Sequence, residues 1–134
     1  MRFIETKTHG YLDYLMGALL IAAPWIFDFD RGGAETWVPV ILGAGVILYS
    51  LMTNYELGAV RTISMRTHLM LDLLGGIFLA ASPWIFNFDD VVYLPHLILG
   101  IAEIGAALFT KRDPSFANGS KGYNTHQHST LTSR

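Results

Sequence analysis

Cysteine is missing from all 134 residues, which removes disulfides, thiolate metal ligands and a thiol nucleophile, and leaves the redox compartment unmarked. Charge is scarce too: Lys, Arg, Asp and Glu make up 15% of the chain, against the usual quarter. With a formal net charge of −2 and a pI near 6.2 there is no basic surface, so no nucleic-acid partner is expected. A phosphate loop, a His-Glu-x-x-His helix, a Ser–His–Asp set and a haem-bracketing histidine pair are also missing. On that ground the chain is expected not to be an enzyme, with no cofactor and no metal site.

What is present is apolar and duplicated. Residues 2–30 slide onto 61–89 without a gap, and 16 of those 29 positions are identical, including Thr8 on Thr67, His9 on His68, Asp13 on Asp72, Gly17 on Gly76 and Trp25 on Trp84. Chance does not hold one register through so many rare residue types, and such a repeat has to be settled before any fold is argued. Beyond Asp30 the copies diverge, the second being about two residues shorter before its next apolar run.

Each copy reads as two apolar segments, Tyr11 to Phe27 and Trp37 to Thr53 in the first, His68 to Phe86 and Val92 to Thr110 in the second. Their apolar residues go all round, whereas a soluble bundle of helices needs a polar outer face on each. Seventeen residues reach about 25 Å as a helix, the short end of what crosses a hydrocarbon core. Cleavage of the first segment as a signal peptide is disfavoured, because the same segment recurs mid-chain and Pro24 would follow the cut. Trp37 with Tyr49 or Tyr55 are expected as anchors at the membrane interface, and Asn54 to Thr67 as a short surface helix.

The expected fold is therefore all-α: a four-helix transmembrane bundle from two tandem two-helix repeats, residues 2–53 and 61–110, within a membrane domain of residues 1–112. Arg2, Lys7, Arg61, Arg66, Lys111, Arg112, Lys121 and Arg134 fall on one side and only Arg31 on the other. That places both termini in the cytoplasm of a multi-pass protein of the cell membrane. Each copy then enters in the same orientation, so a pseudo-twofold along the membrane normal should relate them. Residues 113–134 are polar and are expected to form a disordered cytoplasmic tail; His126 and His128 within it are read as solvated.

Ala23-Pro24-Trp25 and Ser82-Pro83-Trp84 each close a segment that begins Thr-His-x-x-x-Asp. In these motifs the chain resembles the SPW repeat family of small integral membrane proteins, over residues 2 to about 112. The resemblance implies two membrane helices per repeat and no particular activity. Ala23 departs from the serine of the motif, so a hydroxyl there is not needed twice.

Candidate chemistry lies in the polar residues within the apolar segments. His9 and Asp13, like His68 and Asp72, are four residues apart and share a helical face. Thr8 and Thr67 are expected to cap those helices. A carboxylate at such depth should be paired or protonated and face the interior. Glu103, in the last segment, breaks the repeat symmetry and is expected at a depth close to Asp72, so His9, Asp13, His68, Asp72 and Glu103 form a candidate polar cluster. Small residues four apart, Ala18 and Ala22, Gly76 and Ala80, Ala102 and Ala106, are expected at close helix contacts within the bundle or between subunits. The main functional expectation is a non-enzymatic membrane module in the lipid bilayer, packing with a membrane-protein partner or a second copy of itself. The alternative is a minimal proton- or cation-linked conduit that uses the intramembrane acids.

Overall fold

The computed structural model describes residues 1–117. Most of the expected tail, His126 and His128 included, lies outside the described residues. The chain is all-α, with α1 (Thr6–Ile26), α2 (Ala34–Leu51), α3 (Met65–Ile85) and α4 (Leu94–Phe109). α1 packs along α2 and α3 along α4, as a repeat architecture requires; α2 also meets α3, and α1 and α4 touch over less surface.

Helices α1 and α3 end in the same way because the same residues end them. The N–H of Phe29 reaches the carbonyl of Pro24 at 2.8 Å, and that of Phe88 reaches Pro83 at 2.8 Å, across Asp28 and Asn87 in the left-handed region at φ 55°. This six-to-one bond around a left-handed residue is the Schellman stop, and Asp and Asn are the non-glycine residues that tolerate it. Each proline lacks the N–H that would have bonded one turn back, leaving the carbonyls of Leu20 and Leu79 without their helical donor. In the second repeat the Ser82 hydroxyl donates to the Leu79 carbonyl at 2.7 Å. Ala23 offers no such donor. Ser82→Ala should therefore lower stability by about 1 kcal/mol, the net worth of one buried hydrogen bond. Thermal unfolding in detergent checks this, and an unchanged midpoint would show that the carbonyl is satisfied in another way.

Three local expectations are corrected. The cap of α3 is Ser64, whose hydroxyl accepts from the Thr67 N–H at 3.2 Å, and Glu5 precedes α1 with no side-chain cap, so neither Thr8 nor Thr67 caps its helix. The stretch 54–64 is not helical; it is a turn folded back so that Ile63 bridges Thr53. The same parallel bridge recurs between Ile4 and Thr110, which are the equivalent residues of the other copy. Finally, Tyr55 is fully buried against Met65 and Leu69, so Trp37, half exposed, is the only one of the three proposed anchors that faces outward freely.

Below the helix ends, Glu56 ties three pieces of chain together. It accepts from Thr6 Oγ1 at 2.7 Å and from the N–H and Oγ of Ser115 at 2.8 and 2.6 Å. Burial pushes its carboxyl up, but the bonds from Ser115 and Thr6 outweigh burial and hold it below its ordinary value.

Helix pairs close through glycine. A Cβ on Gly43 would lie 2.6 Å from the Gly17 carbonyl, and one on Gly100 would lie 2.7 Å from that of Gly76. The two contacts are the same contact in the two repeats. Of the small residues expected at such contacts, Gly76 and Ala80 meet Gly100 within the pair, whereas Ala18 and Ala102 are exposed on the outside.

Polar side chains are as numerous as apolar ones among the buried residues, while Leu15, Ile41, Leu48, Leu74, Ile98 and Ile101 stand exposed on the outside. Exposed apolar residues in this number mark a surface that meets a membrane or another protein. By length and composition α2 and α3 are apolar enough to cross a membrane. The expectation of four such spans holds only for these two: α1 is diluted by its Thr-Lys-Thr-His start and Asp13, and α4 has 16 residues.

Candidate functional site

The first turns of α1 and α3 carry His9 and His68, and one turn further in each carries its aspartate. Because α1 and α3 face each other across the interior, the two i,i+4 pairs meet and form one quartet, all four residues being no more than 1% exposed. His9 Nε2 lies 2.9 Å from Asp72 Oδ2 and 3.1 Å from Asp13 Oδ1. His68 Nε2 lies 2.8 Å from Asp13 Oδ2 and 3.2 Å from Asp72 Oδ2. Each histidine is thus nearer the aspartate of the other repeat than its own. Arg66, two residues before His68, takes no part: it is exposed and reaches Asp113 at 3.7 Å.

Two threonines orient the rings. Thr110 Oγ1 donates to the Ala106 carbonyl at 2.6 Å and lies 2.8 Å from His9 Nδ1. Thr53 Oγ1 donates to the Tyr49 carbonyl at 2.6 Å and lies 2.8 Å from His68 Nδ1. A hydroxyl has one proton, and here it is spent on a carbonyl, so the oxygen can only accept from the ring. Both Nδ1 atoms therefore carry the proton, and both Nε2 atoms face the carboxylates. Outer hydrogen bonds of this kind fix the tautomer of ligating histidines. Each threonine closes the second helix of one repeat and serves the histidine of the other, so the site exists only when both repeats are folded together.

The carboxylates have further donors. Tyr49 gives its O–H to Asp72 Oδ1 at 2.6 Å, and Ser50 Oγ lies 3.4 Å from Asp13 Oδ2. Sequence reasoning missed Thr53, Thr110, Tyr49 and Ser50. The threonines did leave a signal: they are 57 residues apart, the repeat spacing less the two-residue shortening, at the end of the second apolar run of each copy.

One ligand atom from each of His9, Asp13, His68 and Asp72 lies within 4.8 Å of the other three. A tetrahedral divalent ion bound at about 2.0–2.2 Å holds its ligand atoms roughly 3.3 Å apart, only slightly more than these nitrogen–oxygen separations. The quartet is geometrically suited to a proton or a cation. The expectation that the chain is not an enzyme is overturned here: a buried His/His/Asp/Asp group with the geometry to coordinate a metal ion points toward a catalytic or transport-active site rather than a clearly inert protein. Reading the motifs along the chain failed because the constellation is split between repeats.

Glu103 is not brought into this hydrogen-bonded set. It is buried, its Oε1 has no partner, and it borders one cleft with Asp72 and another with Asp13. At the far end of α4, His96 donates from Nε2 to the Glu35 carbonyl at 2.9 Å, while its Nδ1 has no partner. Its ring sits between Phe29 and Phe88, the two repeat-equivalent helix stops, at 5.1 and 4.9 Å. The motif residues lie at that same end: Pro24, Pro83, Ala23 and Ser82 are buried, and Trp25 and Trp84 are at least half exposed.

Fold and site together define an all-α protein of two helix pairs enclosing a shared His/Asp quartet. The sequence profile of the SPW repeat domain matches residues 7–110. The chain belongs to that family. No curated protein and no solved structure matches it.

Proposed function

We propose that the protein is a proton- or cation-linked conduit of the cell membrane, with His9, Asp13, His68 and Asp72 as its central site. The observation that carries this reading is the buried quartet itself: two imidazoles and two carboxylates enclosed together are costly to keep unless they exchange something. Packing alone needs no such group, which favours the conduit over an inert packing module.

A route beyond the quartet is supported by α4. His96, Glu103 and Thr110 are seven residues apart, two helical turns, so they stand on one buried face at intervals of about 10 Å. The unpartnered His96 Nδ1 and Glu103 Oε1 are open hydrogen-bonding positions along that face. Four spans, both termini cytoplasmic and a pseudo-twofold along the membrane normal complete the proposal, supported by the outward apolar surface, the eight-to-one Lys and Arg distribution and the equivalent contacts of the two repeats.

The test is flux. Full-length protein reconstituted into liposomes with an internal pH-sensitive dye or a divalent-cation dye should dissipate a gradient faster than empty vesicles, and Asp13→Asn or Glu103→Gln should slow it at least about tenfold. Rates equal to those of empty vesicles with both dyes would sink the reading.

A further inference from the structure

We propose that the cleft between α2 and α3 binds a lipophilic amine, an alkyl chain ending in an ammonium group. The cleft encloses about 430 Å³, within the range of small-molecule sites. Its walls are apolar, among them Ile41, Leu42, Leu71 and Leu74, and its polar end is made by Tyr49, Asp72 and Glu103.

With Glu103 ionised, as an ammonium neighbour would make it, that polar end can only accept. The Tyr49 proton is committed to Asp72 Oδ1, and Asp72 Oδ2 already faces both histidines. Glu103 Oε1 is buried and has no partner, in a residue 5% exposed. Among the described residues no Lys or Arg borders the cleft. The two aspartates are matched by two histidines, so Glu103 is the acid left without a counter-charge. An ammonium supplies what is missing, three N–H donors and one positive charge. A carboxylate or phosphate head would add acceptors to acceptors.

Width is set by glycine. Gly45 and Gly75 line the cleft, and a Cβ on either would meet nothing within 4 Å, so neither is demanded by helix packing. In the equivalent cleft between α1 and α4, Met16 and Ala102 occupy those two positions and the volume falls to about 230 Å³. One side of the molecule is thus open and the other narrowed by two side chains.

Native mass spectrometry of the full chain released from neutral detergent, offered dodecylamine, dodecanol or dodecanoate, tests the proposal. One dodecylamine per chain is expected, with neither of the others retained. Glu103→Gln and Gly75→Leu should each weaken retention by about tenfold or more, the worth of a charged hydrogen bond or of the filled space; Gly45→Leu, from the opposite wall, replaces Gly75→Leu if that variant does not fold. Equal retention of dodecanol would identify a groove for any lipid chain and overturn the proposal. So would retention of dodecylamine by both filled-cleft variants, or no retention at all. The conduit stands or falls separately: flux without amine binding rejects this site alone, and amine binding without flux rejects the conduit alone.

Discussion

Asp72→Asn should destabilise the protein by about 3–5 kcal/mol, the cost of removing one partner from a buried ionic group. Asp72 accepts from Tyr49 at 2.6 Å, and its Oδ2 lies 2.9 and 3.2 Å from Nε2 of His9 and His68. An asparagine keeps one oxygen and turns an NH₂ toward groups that themselves donate. Asp13→Asn should cost less, because its third donor, Ser50, is at a long 3.4 Å. Tyr49→Phe should cost roughly 1.5–3 kcal/mol, since it removes one hydrogen bond to a carboxylate and leaves the rest in place. Chemical unfolding in detergent orders the three. If Asp72→Asn lay within about 1 kcal/mol of wild type, the quartet would not be an ionic unit.

The second large effect should come from a single methyl group. In Gly100→Ala the new Cβ would lie 2.6 Å from Ala80 N, 2.7 Å from Ala80 Cβ and 2.7 Å from the Gly76 carbonyl. Two of those three atoms are backbone, so no rotamer change relieves the clash and α4 must move away from α3. A loss of about 1–3 kcal/mol is expected, together with reduced flux, because Glu103 and Thr110 ride on the same helix. Gly75→Ala is the control: its Cβ meets open space, and replacing an interior helical glycine should gain roughly 0.5–1 kcal/mol. Equal effects from the two substitutions would refute glycine-mediated packing of this pair.

Much of this was legible in the residue order. Register between the copies is a one-dimensional property, and it carries the repeat, the matching ends of the apolar runs at Phe27 and Phe86, and the choice of His9, Asp13, His68 and Asp72, with Glu103 beside them, as the polar residues that matter. Helix existence was equally readable, because long apolar runs bounded by Gly, Asp and Pro leave few alternatives. Helix starts were not. Whether Ser64 or Thr67 caps α3 depends on which residue leaves the helical conformation first, and both are capable caps.

Sequence by itself determined that the protein is two copies of one helix pair, and that each copy carries a histidine and an aspartate on one face. It could not determine their partners. Spacing within a helix ties His9 to Asp13, but only the packing of α1 opposite α3 decided that His9 lies closest to Asp72 and His68 closest to Asp13. The same holds for Thr53 and Thr110, which are unremarkable helix-end residues until the fold sets each beside the other repeat's histidine. The reason is physical: side-chain periodicity fixes which residues share a face, whereas Gly17 with Gly43 and Gly76 with Gly100 set how each pair closes, and the contacts between pairs depend on how the two pairs then dock.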